Sequence, residues 1–361
     1  MQKERTYIFG VMLAAVFLAV VFVSCSKESS EPMASTEIPL VFSPMAGWPE
    51  IANGSAASAG SGTKALITSA SELQQYGISL IATASKDANT YVVFNNDLLK
   101  YSNSAWNYDI TKYWIPGASY SFTAFAPYAG TTGEGVNLSN GDVTVSAYPT
   151  APSITIENYI SGKDNGFDAR CEDLLFASHI RDNTTGSDYS SVPLNFNHLL
   201  SCLSFKIRNA TSTDIETVES ISLTGLQYKA DITVSNITAT ISPTAKTVGE
   251  SEGFFAGNNL TGSAENPFLP RGMSEEQFKD LFDCTDLTVL PQTIYGKEIK
   301  IKFTVRYSNG SSTDYSGNLG TIEGITRWQP GKKYRYNITI SSEDIIFQVS
   351  EIPWIEHNVE L

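Results

Sequence analysis

Apolar and polar residues alternate along most of the chain after residue 36, which is the pattern of half-buried β-strands. In one such segment, Tyr120, Phe122 and Ala124 are separated by Ser121 and Thr123. Turn residues bound each segment, so the chain is predicted to be nearly all β. The predicted strands span 37–42, 78–85, 91–99, 119–129, 142–146, 153–160, 173–180, 192–208, 220–226, 230–241, 287–290, 299–307, 315–319, 333–341 and 345–349.

One segment, residues 273–282, has helical rather than alternating spacing. Ser274 and Gln277 are three residues apart and form a capping box, the signature of a helix start. Phe278 and Leu281 then lie on one face. The sequence therefore predicts one short helix at this position.

The number of strands bears on domain organisation. About fifteen strands exceed the seven to nine of a single β-sandwich, which favours two sandwiches in tandem. A polar stretch near Asp188 predicts the boundary, with an N-terminal domain of residues 36–188 and a C-terminal domain of residues 189–361 that contains the helix. Within the second domain, Asn309-Gly310 between two strands predicts a tight hairpin.

The N-terminus is typical of an export signal. A basic start is followed by the uncharged, mostly apolar segment 7–23, which a plain membrane anchor would also contain. Small and β-branched residues directly before Cys25 resemble the lipobox of bacterial lipoproteins. This resemblance implies a signal peptide of residues 1–24, lipidation of Cys25 and a lipidated tether of residues 25–35 on the outer membrane. The charged stretch 26–31 resembles a surface-export signal, or is simply a solvated tether.

Composition excludes several classes of function. Acidic residues outnumber basic ones by 38 to 24, for a net charge of −14, and no Lys/Arg cluster exists that would bind nucleic acid. The three histidines, His179, His198 and His357, are scattered, and His198 is predicted to be a packing residue with one hydrogen bond. No catalytic residues, metal ligands or cofactor motif can be named, so the chain is not predicted to be an enzyme.

Several segments, in matching order over about residues 36–356, resemble the fimbrillin-like lipoprotein family of Bacteroidetes. The resemblance implies two tandem transthyretin-like Greek-key β-sandwich domains and a role as a subunit of cell-surface fimbriae. It also implies that a trypsin-like protease removes the first strand and that a strand of a neighbouring subunit fills the gap. The segments are Thr63-Lys64-Ala65 with Ile67 and Thr68, Tyr113-Trp114-Ile115-Pro116 before 120–127, Asp173-Leu174-Leu175-Phe176-Ala177 before 192–201, and 334–340 before Pro353-Trp354.

The sequence contains candidate segments for such a strand-exchange mechanism. The short segment containing Ile38, Leu40 and Phe42 is the candidate for the displaced strand. A linker of small residues then leads to Lys64, and cleavage between Lys64 and Ala65 would release the lipidated piece, because flexible small-residue stretches are preferred cleavage sites. The family often has Arg at this position, and a plain linker is the alternative.

The C-terminal segment is the second candidate for a strand that takes part in exchange. Apolar residues recur at alternate positions, among them Phe347, Val349, Ile355 and Val359, so this segment is either a donor strand or the last strand of the second domain. The predicted partners are other fimbrial subunits, the outer membrane through the lipid, and a host or bacterial surface receptor.

The competing hypothesis is a monomeric glycan-binding surface lipoprotein. The rings of Trp106, Tyr108, Tyr113 and Trp114 would form its saccharide platform, although rings at this density are also typical of a core and a sheet edge.

Overall fold

The computed structural model of the protein contains one four-residue helix and 24 strands among the residues that it describes. No helix in this part of the chain is long and apolar enough to cross a membrane. The described residues are 37–46, 66–130, 138, 140–146, 151–164, 167–168, 172–185, 188–244, 247, 259–282, 286–342, 344–352 and 354.

The helix α1 spans Ala70–Leu73, and a single 3-10 turn spans Leu319–Thr321. The strands are β1 (Phe42–Ala46), β2 (Ile78–Lys86), β3 (Asn89–Ser102), β4 (Ala105–Asn107), β5 (Ser119–Ala126), β6 (Asp142–Val145), β7 (Ser153–Ile160), β8 (Lys163–Asp164), β9 (Phe167–Asp168), β10 (Leu175–Asp182), β11 (Val192–His198), β12 (Ser201–Asn209), β13 (Ile215–Thr224), β14 (Lys229–Ser235), β15 (Thr238–Pro243), β16 (Leu260–Thr261), β17 (Lys279–Asp280), β18 (Leu287–Val289), β19 (Gln292–Thr293), β20 (Lys300–Tyr307), β21 (Ser312–Asn318), β22 (Arg327–Trp328), β23 (Lys333–Ile340) and β24 (Ile345–Ile352).

Sheet A has seven strands in the order β1-β11-β10-β5-β2-β3-β4. Its neighbours are antiparallel except for β1 and β11, which run parallel. Its two edge strands, β1 and β4, contact each other, and an isolated antiparallel bridge between Pro39 and Tyr113 lies beside them. Sheet A therefore curls around the first apolar core, to which Leu80, Phe122 and Phe196 contribute from three different strands.

Sheet B, of β15-β14-β7-β6, covers the outer face of sheet A. A second core forms between them, where Ile81 and Phe125 of sheet A pack with Ile156 and Ile232 of sheet B. These residues sit at positions that alternate with the first core, as the period-2 geometry of strands requires.

Sheets C and D form the remaining sandwich around a third core, which contains Phe205, Leu223, Phe303 and Tyr336. Sheet C has the order β17-β12-β23-β24, with β18 also paired to β12, and sheet D has the order β16-β13-β20-β21. The hairpin predicted from Asn309-Gly310 is confirmed by the antiparallel pair β20 and β21.

The helix predicted for residues 273–282 is wrong. The capping interaction itself forms, because the Gln277 Oε1 accepts a hydrogen bond from the Ser274 N–H at 2.9 Å. The chain then pairs with the edge of β12 as β17 instead of continuing as a helix, and the Leu281 N–H donates to the Phe205 carbonyl at 2.9 Å. Among the described residues the α-helix is α1, which lies in the N-terminal part of the chain with Ser69 as its N-cap.

Strand pairing crosses the boundary predicted near Asp188. Strand β11 follows this residue and completes sheet A, while β14 and β15 follow it and pair with β7 in sheet B. Residues Ile38–Leu361 form one compact unit. The division into domains 36–188 and 189–361 remains a prediction.

Candidate functional site

The segment 38–46, which we call the seam segment, joins the two ends of sheet A. Its first part pairs with the chain after β4, because the Leu40 N–H donates to the Lys112 carbonyl and the Trp114 N–H donates to the Ile38 carbonyl, both at 2.9 Å. Its second part is β1, which pairs parallel to β11. The strand predicted for 37–42 is therefore shifted, since the regular strand begins only at Phe42.

Side chains of the seam segment alternate between core and solvent as the sequence predicted. Leu40 and Phe42 are buried in the first core, and Ile38 packs against it. Val41 and Met45, at the intervening positions, are exposed. A strand that replaced the seam segment would therefore need apolar side chains at alternate positions, on the face that points into the first core.

Phe42 fills a pocket made of aromatic rings. It is 4% exposed, and its ring centroid lies 5.5 Å from Phe94, 5.9 Å from Tyr108 and 5.7 Å from Phe122, each in edge-to-face geometry. The Tyr108 hydroxyl also donates a hydrogen bond to the Leu40 carbonyl at 2.8 Å. Burial raises the pKa of Tyr108, so this hydroxyl keeps its proton and acts as a donor.

A buried arginine supports the wall of the core next to the seam segment. The Arg181 guanidinium lies 5.2 Å from the centre of the Trp114 ring and donates to the Ser190 carbonyl at 2.6 Å and the Ser191 carbonyl at 3.1 Å. Trp114 is only 5% exposed. It therefore cannot serve as part of the exposed platform of the glycan-binding hypothesis. Of the other three rings, Tyr113 is 42% exposed, and Trp106 and Tyr108 are half-buried.

The structure describes only the first part of the C-terminal segment that is the candidate donor strand. Phe347 and Val349 lie in β24, which pairs antiparallel with β23 and is the edge strand of sheet C. The Phe347 ring rests against Gly317, where a Cβ atom would clash with it. These two residues therefore pair within the chain's own sheet C, whereas Ile355 and Val359 lie outside the described residues.

The predicted lipidation and processing residues also lie outside the described part of the chain. They are Cys25, Lys64 and Ala65. The predictions made for them are not tested by the structure. Within the described residues, no group of three or more His, Cys, Asp or Glu side chains could hold a metal ion.

His198 is the packing residue that the sequence predicted. It is 5% exposed, and its Nδ1 lies 3.0 Å from the Asp173 Oδ1. Asp173 is a residue whose role sequence reasoning missed, although its position just before an apolar strand is a recognisable signal. Its charge adds to burial, the larger effect, in raising the pKa of Tyr76 to about 12.

The model of one protein family, described as fimbrillin-like, matches residues 63–354. The chain belongs to the fimbrillin-like family. Membership places it among fimbrillin-like proteins, which are structural proteins of the cell surface rather than enzymes. No curated protein matches the sequence.

One solved structure agrees with the all-β fold of this fimbrillin-like chain, and a second is similar at a lower level. A fimbrial protein from Bacteroides vulgatus has 18% sequence identity and a TM-score of 0.54, over 81% of this chain and 97% of that one. A fimbrial assembly protein from Parabacteroides distasonis is less similar, with 12% identity and a TM-score of 0.34 over 77% of this chain and 92% of that one. At 18% identity, the first similarity shows a shared fold, which confirms the predicted all-β class but not the number of domains.

Proposed function

We propose that the chain is a subunit of fimbriae that is exported as a lipoprotein and polymerises by strand exchange. Cys25 would carry the lipid, and cleavage between Lys64 and Ala65 would separate the seam segment from the rest of the chain. A strand from a neighbouring subunit would then take the place of the seam segment.

The observation that carries this proposal is the position of the seam segment at the closure of sheet A. It lies N-terminal to Lys64, so cleavage there leaves it attached only by non-covalent contacts. Its departure would open the pocket of Phe42 and leave the Val192 N–H, which now donates to the Val41 carbonyl at 2.7 Å, without its partner. Exposed apolar area costs about 25 cal/mol per Å², which makes an unfilled groove unfavourable.

An extended peptide with apolar residues at alternate positions can repair such a groove. Backbone hydrogen bonds supply affinity, and pockets for alternate side chains supply register. Because Phe347 and Val349 are already used in β24, we infer that the donor comes from the residues that follow, including Ile355 and Val359. The expected partners are therefore other fimbrial subunits, either copies of this chain or related ones.

The test is cleavage of the purified precursor by a trypsin-like protease. We expect a new N-terminus at Ala65 by mass spectrometry, loss of the seam segment, and oligomers that resist SDS until they are heated. A Lys64→Gln variant should stay monomeric, while the matched control Lys86→Gln, in β2, should polymerise normally. Complete cleavage that yields only monomers would contradict strand exchange.

Lipidation is tested separately in cells that express the full chain. We expect metabolic labelling with a fatty-acid analogue to mark the protein and to disappear in a Cys25→Ser variant. Cys171→Ser is the control and should leave the label unchanged. An unlabelled parent protein would contradict lipoprotein export without bearing on strand exchange.

A further inference from the structure

Two distant parts of the chain meet at a buried pair of side chains, an aspartate and a histidine. Asp173 is 2% exposed, and its two carboxylate oxygens lie 3.0 Å and 2.9 Å from the Nδ1 of His198. Asp173 lies two residues before the start of β10, and His198 is the last residue of β11. The pair therefore lies at one end of sheet A.

The first part attached to this pair is the chain just after the predicted cleavage site. The Ile67 N–H donates a hydrogen bond to the Asp173 Oδ2 at 3.0 Å, and the Ile67 side chain is fully buried. A buried carboxylate that accepts such bonds is costly to leave with fewer partners. Asp173 thus holds the backbone at Ile67 in place.

The second part is the chain just after β24. The Trp354 indole stacks on the His198 ring with centroids 4.0 Å apart and planes 14° from parallel, and it is 7% exposed. Stacking at this distance requires a fixed ring plane. The hydrogen bond from His198 to Asp173 fixes that plane, in the way that a carboxylate partner orients imidazoles elsewhere.

We propose that Asp173 and His198 form a clasp that positions Trp354, and that the docking of Ile67 and of Trp354 are coupled through it. Asp173 acts on Trp354 only through His198, so it is a positioning residue. Ile67 lies three residues after Lys64, and Trp354 directly precedes Ile355. If the proposed function holds, on which this consequence rests, the clasp sets the point from which the donor segment leaves the subunit.

The coupling can be measured on the uncleaved precursor labelled with 5-fluorotryptophan. The chain has five tryptophans, and a Trp354→Phe variant assigns the fluorine resonance of Trp354. We expect Asp173→Asn and His198→Gln to move this resonance towards its solvent-exposed position while the other four stay in place. The exposed carboxylate variant Asp87→Asn, at the turn between β2 and β3, is the matched control and should leave all five unchanged.

The reverse direction of the coupling supplies a second readout. Because coupling between two sites is reciprocal, Trp354→Leu should speed hydrogen exchange at the Ile67 amide by about tenfold. This measurement holds even if Asp173→Asn fails to fold. An unmoved Trp354 resonance in His198→Gln, or unchanged Ile67 exchange in Trp354→Leu, would overturn the clasp.

These outcomes are separable from the proposed function. Both measurements use the uncleaved monomer, so they do not require polymerisation. If the coupling is found but cleaved protein stays monomeric, strand exchange is contradicted and the clasp stands. If Lys64→Gln blocks polymerisation but the Trp354 resonance is unchanged in His198→Gln, only the clasp proposal is contradicted.

Discussion

Replacing Phe42 by alanine should destabilise the precursor and leave the assembled fimbria unaffected. The side chain is 4% exposed and touches three aromatic rings, so its truncation leaves a cavity at the centre of the first core. Removing a buried phenylalanine costs about 3–5 kcal/mol of unfolding free energy. If the subunit is cleaved as proposed, the seam segment is lost, and the same substitution should then have no effect on the stability of the fimbria.

The assay is guanidinium unfolding of the precursor, followed by tryptophan fluorescence, together with the heating temperature at which SDS-resistant oligomers dissociate. Phe122→Ala is the control, because Phe122 lies in the same cluster but belongs to β5 and stays in the processed chain. It should weaken both the precursor and the oligomer. A loss below about 1 kcal/mol for Phe42→Ala, or equal weakening of the oligomer by both variants, would refute the reasoning.

Three further outcomes test the surroundings of the seam segment. Tyr108→Phe should lower the unfolding free energy of the precursor by about 1 kcal/mol, because the hydrogen bond to the Leu40 carbonyl is lost, and an unchanged denaturation midpoint would contradict this. Arg181→Lys should cost about 1–3 kcal/mol in the same assay, since lysine cannot both cover Trp114 and supply the planar donors. The pKa of Tyr76 is raised from 10.0 to about 12, so the neutral side chain stabilises the fold below pH 10 and this contribution is lost as pH rises through 12. Tyr76→Phe should therefore flatten the fall in stability measured over that window, and an identical fall would contradict it.

Local patterns predicted those parts of the fold that depend on neighbouring residues. The alternation of Leu40 and Phe42 correctly identified the buried face of the seam segment, and Asn309-Gly310 correctly identified a hairpin. Both signals act over a few residues. Strand periodicity and turn conformation are set by the local backbone, so they can be read without knowing the fold.

The features that the sequence did not reveal depend on contacts between residues that are distant along the chain. The capping box at Ser274 formed its local hydrogen bond, but the free edge of β12 offered backbone partners that a helix would have left unused. The partnership of Asp173 with His198 spans 25 residues and arises because β10 begins beside the end of β11 in sheet A. A single sequence carries no signal for such a meeting, although the residues themselves are visible.

Two edge strands, β1 and β24, could be displaced from the subunit when it polymerises, and the structure favours β1. Strand β1 has five residues and pairs in parallel, the less stable geometry per residue, whereas β24 has eight residues and pairs antiparallel with β23. The seam segment also divides its hydrogen bonds between two partners, so neither pairing alone holds it. Strand β24, in contrast, is continued by Trp354, which the clasp holds in the second core. If the subunit polymerises, the piece given up should therefore be the seam segment, and the piece donated should begin only after Trp354.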